Sequence, residues 1–483
     1  MRGREVVAWP WSRSRSMRGR EVVAWPPRVA AALYGCASFR ASLRARWIVA
    51  AGGGRGLASA AATPLADWVR AGGGEVHSAL AVRSGQDGVE LSTRTAVRAG
   101  EVLVRLPRPL QLTEDVVEPQ LAGFGELAAR VPGELWQARL GLSLLRERSQ
   151  GRHSSFSPYI ELLPAVHRGI PIFFSGDTLA MLQYAPLSEQ VKKRCRWLVE
   201  FSQHTQHAGA LFNEQLVDAN ALGWALASVS SRAFAVGTDA EGKKLHALLP
   251  MIDLANHQAN NNATVTDAGD GAMELVAVRA LDAHEPVLLN YGDLSNDVFL
   301  LDYGFIQHDN PCDRCSLAFD LAGINYAREI VKVKAQDVLC QEEWRQRLLG
   351  SLQLHGPSAN RELLVGGADV VDPRLIGALR VLLAPPALQR KLEELGVDEL
   401  ADWRHKTDPA LEVSVTKTAL ALCAIALSHF PTKLEADLSL LQDAAQTASL
   451  SHDAHLAVRF RAGKKRVLAD AIAHLKVRLS DLA

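Results

Sequence analysis

Two short polar clusters in apolar surroundings, between Pro250 and Phe305, constrain this chain more than any other feature. The first closes the run Pro250-Met251-Ile252-Asp253-Leu254-Ala255 with Asn256-His257. The second is Asn290-Tyr291-Gly292-Asp293-Leu294-Ser295-Asn296, followed by Asp302-Tyr303-Gly304-Phe305. Between them, Glu274 to Ala280 reads as an irregular strand and Asp282 to Glu285 as a turn. Pro286 to Leu289 then reads as a buried strand that delivers Tyr291 at its end. Singly, an Asn-His pair is a turn or cap and a strand-end Tyr is packing. Order and spacing together point to a site.

These elements resemble the C-terminal half of a SET domain of the Rubisco large-subunit lysine methyltransferase type. That family carries Asn-His after an apolar strand, then Tyr-Gly-x-x-Ser-Asn, then Tyr-Gly-Phe; all three stand here in order. The resemblance implies an α+β chain: a SET β-fold with pseudoknot-like threading and a helical insert, followed by an all-helical substrate-binding domain. It also implies S-adenosylmethionine as cofactor and no metal. Tyr291 would be the catalytic residue, Asn256 and His257 would hold the adenine edge, and Tyr303 and Phe305 would wall the substrate channel.

Two further segments carry the resemblance. Gln86-Asp87-Gly88-Val89-Glu90-Leu91 is similar to the family's opening acid-Gly-Leu-Gly-Leu loop. Asp87 and Val89 are therefore expected at the methionine end of the cofactor. Glu90 stands where the family has a second Gly, whose backbone freedom Glu lacks. Ser230-Ser231-Arg232-Ala233-Phe234 resembles the family's Ser-Arg-Ala-Phe strand. Its Arg, here Arg232, would meet the cofactor carboxylate with a bidentate fork.

Charge is unevenly spread along the 483 residues although the formal net charge is zero. Residues 1–62 hold eleven Arg and two acids, which leaves the remainder at −9. An Arg-rich, acid-poor front resembles an organelle transit peptide, with the chloroplast stroma as the expected address and the mitochondrion as the alternative. Met1 to Pro10 recurs letter for letter at Met17 to Pro26, a duplicated leader too short for a structural repeat. An acidic body is a poor partner for nucleic acid. No apolar run reaches the ~18–20 residues that cross a bilayer, so a soluble protein is expected, and a monomer is the expected state. The six Cys are sparse, and Cys312 and Cys315 lack the two further ligands that zinc requires.

The expected divisions are a leader at 1–62, a SET domain at 63–313 split by a helical insert at about 113–230, and a helical domain at 314–483. In the insert, Leu135, Ala138, Leu142 and Leu145 make an apolar stripe at helical spacing. Ser157-Pro158-Tyr159-Ile160 resembles a packing signature of the family's insert. In the last domain, Leu375, Leu379 and Leu382 share one face of a helix, and Leu468, Ile472, Leu475 and Leu479 mark the final one. Arg459, Arg461, Lys464, Lys465 and Arg466 ahead of them read as a solvated face, with docking of an acidic protein substrate as the alternative.

The expected activity is methylation of a lysine on an organellar protein, with Rubisco large subunit or fructose-bisphosphate aldolase as candidates. A lysine at its reference pKa of ~10.4 must lose a proton first, at about 3–4 kcal/mol near neutrality. A narrow apolar channel lowers that cost, and orientation supplies several kcal/mol more. Protein-histidine methylation and a non-catalytic SET-fold scaffold are the alternatives, the second favoured only by Glu90.

Overall fold

The computed structural model describes residues 57–85, 88–114, 122–238, 242–334 and 342–482. Asp87 and residues 1–56, with the repeated decapeptide, lie outside the described residues. Helix α1, Leu57–Ala71, crosses the boundary expected at residue 62. The reason is apolar: its Leu65 and Val69 are fully buried in the first of two cores, and Trp68 lies 5.8 Å from Phe156.

The strands of the first domain are short. They are β1 (Glu75–Val76), β2 (Leu80–Gly85), β3 (Gly88–Thr93), β4 (Val102–Leu106) and β5 (Leu112–Thr113), then, after the insert, β6 (Ala233–Thr238) and β7 (Lys244–Leu248). The polar clusters lie among β8 (Asn256–His257), β9 (Ala263–Asp267), β10 (Met273–Ala277) and β11 (Leu288–Leu289). These make small sheets in the orders β1-β4-β10-β9 and β5-β7-β6, a β2-β3 hairpin and a parallel β8-β11 pair. In β4, Leu103, Val104 and Leu106 are fully buried.

The β8-β11 pair positions the site. After β8 the chain leaves through the antiparallel β9-β10 pair and returns between β3 and β8. There Val287 N–H donates to Leu91 O at 2.9 Å, and Leu288 and Leu289 register with Asn256 and His257. A two-residue pairing cannot stand alone in water; the buried residues Leu91, Val287 and Leu289 hold this one in the first core. The threaded β-fold implied by the resemblance is thus present.

The insert is helical, with α2 (Trp136–Ser149), α3 (Ser157–Ile160), α4 (Ala185–Gln206) and α5 (Ala219–Arg232) as its main elements. The expected stripe of Leu135, Ala138, Leu142 and Leu145 is buried, but so are Leu140 and Leu144. Helix α2 is therefore a central helix, enclosed on more sides than a surface stripe allows. Arg232 is the last residue of α5, and the strand predicted to carry it begins one residue later.

The C-terminal domain is built of helices plus one antiparallel ribbon, β12 (Arg314–Ala318) with β13 (Glu362–Gly366). Its main helices are α6 (Leu321–Ile330), α7 (Pro373–Leu383), α8 (Pro409–Ser428), α9 (Leu434–Gln442) and α10 (His452–Asp481). Helix α7 is buried from Leu375 to Leu383, so Leu375, Leu379 and Leu382 do not mark a single wet-and-dry divide. Helix α8 is longer and more apolar than the sequence suggested, enough by length and composition to cross a membrane. It nevertheless buries Leu411, Val415, Ala419 and Cys423 in the second core, and its fully buried Glu412 pairs with Arg380 at 2.8 Å. Cys315 is buried and its Sγ donates to Lys464 O at 3.2 Å; burial pushes its thiol far above the ordinary range.

The basic run on α10 overturns the expected solvated face. Lys464 and Lys465 are fully buried, and Arg461 nearly so. Lys464 pairs with Asp297 and with Asp313 (2.6 Å), both from the first domain's final segment, and donates to Arg314 O at 2.6 Å. Arg461 and Lys465 share Asp437 of α9, while Arg461 also donates to Met181 O in the insert at 3.0 Å. Buried charges must be paired. These side chains bind α10 to the SET region and are consumed in doing so, leaving only Arg459 and Arg466 outside the buried set.

Candidate active site

Asp253 is the centre from which the site is built. It lies in a 3₁₀ turn, Ile252–Leu254, entered through Met251 at φ +74°. That left-handed conformation is rare for a non-glycine residue. Here the fully enclosed Met251 side chain holds it. The Asp253 carboxylate has no exposed surface and meets Arg232 Nη1 at 3.2 Å. Tyr159 donates its hydroxyl to the same carboxylate oxygen at 2.8 Å. Burial works against the Arg232 charge, but Asp253, Tyr159 and Tyr291 outweigh it and raise its pKa. The Arg232 side chain is 21% exposed, while its Nε is enclosed and has no hydrogen-bond partner. A clamped cation that keeps some exposed surface suits a carboxylate ligand.

Immediately after this turn, Ala255 O accepts the Tyr291 hydroxyl proton at 2.9 Å. Tyr291 is buried at the end of β11, as predicted, and its backbone N–H donates to His257 Nδ1 at 3.1 Å. With its proton committed to Ala255, the phenolic oxygen keeps only acceptor capacity. Around it stand His257 (ring centroids 5.1 Å) and Tyr303 (5.0 Å, near-parallel). Phe299 lies 4.9 Å from His257, and Phe305 is 4.9 Å from Phe299 and 6.1 Å from Tyr303.

A π-helical turn, Phe299–Tyr303, aims this wall, and π-turns concentrate at functional sites. It ends at Gly304, whose φ is +77° and whose added Cβ would stand 2.9 Å from Arg168 O. Only glycine satisfies both conditions.

Asn256 lies at the surface. Its side chain is exposed, and its Nδ2 approaches Glu90 Oε2 at 3.5 Å. The contact brings β3 to the rim of the site, with Glu90 as its carboxylate. Val89 packs its side chain on the first core, so only its backbone can serve a ligand.

The structure thus unites Arg232, Asn256, His257, Tyr291, Tyr303 and Phe305. Sequence reasoning missed Tyr159, which it read as packing, and Asp253, Ala255, Phe299 and Gln307. Asp253 carried a signal: one acid inside Leu248-Leu249-Pro250-Met251-Ile252-Asp253-Leu254-Ala255 must be buried, and a buried acid needs a partner.

A family model described as Rubisco LSMT substrate-binding matches residues 341–468. Among curated proteins, the actin-histidine N-methyltransferase of Homo sapiens is 24% identical over 420 residues, covering 84% of this chain and 67% of that protein. The one from Canis lupus familiaris is 25% identical over 427 residues, covering 84% and 68%. Among solved structures, the SET domain of LSMT bound to lysine and AdoHcy superposes with a TM-score of 0.66 at 19% identity, covering 88% of this chain and 92% of that one. Rubisco LSMT bound to AdoMet gives 0.65 at 18%, covering 87% and 93%. The chain therefore has the SET fold of these LSMT structures, and residues 341–468 match their Rubisco LSMT substrate-binding domain.

Proposed function

We propose that this chain methylates a side-chain nitrogen of a protein, using S-adenosylmethionine, with histidine as the first target. The observation that carries the reading is Tyr291, whose hydroxyl is fixed on Ala255 O between the Arg232–Asp253 pair and the His257–Phe299–Tyr303–Phe305 wall. The residues fit that cofactor: the partly exposed Arg232 side chain, held by Asp253, would meet its carboxylate, and Asn256 offers an exposed amide beside His257 for its base. When bound it supplies a methyl group on a cationic sulfur. Tyr291 orients the substrate by accepting an N–H, from the far ring nitrogen of a histidine or from the attacking amine of a lysine, so that the attacking lone pair turns inward. The aromatic wall excludes water and favours the cationic product.

Two arguments favour histidine over lysine. The curated relatives that align over 84% of this chain are named actin-histidine methyltransferases. An imidazole, with a reference pKa of ~6.5, is already mostly neutral at pH 7.5, so the deprotonation cost of a lysine is absent. Lysine is the second reading, supported by the LSMT structures that hold lysine and methyllysine. The Arg-rich front keeps an organellar substrate in view for that reading, with the chloroplast as its setting.

The test is to incubate the chain with methyl-labelled cofactor and, separately, actin, Rubisco large subunit and aldolase, and to map the label by mass spectrometry. Label on a histidine supports the first reading, and label on a lysine transfers it to the second. No cofactor binding by calorimetry would overturn both and leave a scaffold.

A further inference from the structure

The orientation of His257 follows from its neighbours. Its Nδ1 receives the Tyr291 backbone N–H, a group that only donates. The ring proton therefore sits on Nε2, 3.2 Å from Gln307 Oε1. Gln307 is itself pinned. Its backbone N–H donates to Asn296 Oδ1 at 3.0 Å, and its carbonyl accepts from Asn296 Nδ2 at 3.1 Å. Asn296 is buried, and both its backbone N–H (3.0 Å) and its Nδ2 (3.2 Å) donate to Asp313. Asp313 is held by Lys464 of α10 at 2.6 Å. Polar contacts thus run without a break from the C-terminal domain to the backbone of Tyr291.

We propose that Gln307 is a positioning residue for Tyr291: its side-chain carbonyl holds His257 as the neutral Nε2–H tautomer, and the bare Nδ1 then anchors the Tyr291 backbone. The inference rests on the proposed role of Tyr291, which touches substrate, whereas Gln307 acts only through His257. Asn296 serves Gln307 in turn, by bonding both faces of its peptide. A ring with its proton on Nδ1 would set donor against donor at Tyr291 and leave the Gln307 carbonyl unmet. The network has one satisfied arrangement: the Tyr291 N–H requires a bare Nδ1, and Gln307 secures the proton at Nε2.

Long-range proton–nitrogen NMR reads the tautomer directly, with the His257 signals assigned by their absence in His257→Asn. The wild-type chain should show Nε2–H; an Nδ1–H ring there would overturn the proposal before any variant is made. Gln307→Leu, which removes the acceptor, should mix the tautomers and lower single-turnover rate by about tenfold with cofactor affinity nearly unchanged. Gln307→Glu, which keeps an acceptor, should restore the Nε2–H ring and most of the rate. Equal losses in both variants, or a Leu variant with wild-type spectrum and rate, would overturn the positioning role. Should Tyr291→Phe turn over normally, the catalytic reading fails, yet the tautomer measurement still decides whether Gln307 sets the ring.

Discussion

The Tyr291 hydroxyl has two tasks, one in the fold and one in the proposed chemistry, and a single substitution separates them. Tyr291→Phe loses the bond to Ala255 O, which should cost about 0.5–1.5 kcal/mol of stability. Losing the acceptor that orients the substrate nitrogen should cost about tenfold or more in single-turnover rate. Denaturant titration beside rapid-quench kinetics measures both; a stability loss with wild-type turnover would reduce Tyr291 to packing. Asn256 gives the opposite pattern. Its exposed side chain means Asn256→Ala should leave stability within about 0.5 kcal/mol. Affinity for the cofactor product should still fall by about 1–3 kcal/mol if the amide meets the base. Calorimetry that finds equal affinity in wild type and variant would take Asn256 out of the site. At this scale the motif residues were legible because each belongs to a fixed-spacing cluster. Tyr159 and Gln307 were not, since their roles come from partners 94 and 50 positions away in sequence.

Among the elements, α10 shows where a one-dimensional reading breaks down. Its positive run looked solvated because charge patterning assumes water opposite the helix. The acids that in fact face its buried cations are Asp297 and Asp313, near the end of the first domain, and Asp437 on α9. Nothing local announces such a meeting. The apolar strand β11 was easier, because it carries its burial in its own residues. The mispairing cost makes α10 testable. Burial opposes the Lys464 charge, and Asp297 and Asp313 outweigh it, raising its pKa. Lys464→Met leaves both carboxylates buried without their cation and should destabilise the chain by about 3–5 kcal/mol. A surface lysine would lose less than about 0.5 kcal/mol, so chemical denaturation distinguishes the two. A companion Asp313→Asn should recover part of the loss, because one stranded charge is then gone.

For the molecule as a whole, acid sensitivity should begin with histidines rather than carboxylates. His246 is buried in β7, stacked on Trp136 at 3.6 Å, and neither ring nitrogen has a hydrogen-bond partner. Burial, then Lys243, Lys244 and Arg139, lower its pKa from 6.5 to about 4. His167, bonded to Ser228 beneath the Arg232 end of the site, is lowered to about 3 by burial, then by Arg232 and Arg148. Both folded values lie below the unfolded one, so between pH 6.5 and 4 the unfolded chain takes up protons that the folded chain refuses. Stability is fully present above pH 6.5 and falls as pH drops, by a few kcal/mol in all on the order of 1.4 kcal/mol per unit. The depressed carboxylates act later: Glu285, held at about 2 mainly by Arg279, loses its contribution only as pH falls from the ordinary carboxylate range toward 2. Asp297, raised by burial, runs the opposite way and offsets part of the loss. His246→Phe keeps the stacked ring and removes one titration. Urea unfolding at pH 7, 6 and 5 should therefore show a shallower decline in the variant than in wild type. Parallel declines would place the acid sensitivity elsewhere and show that His246 carries its proton within the fold.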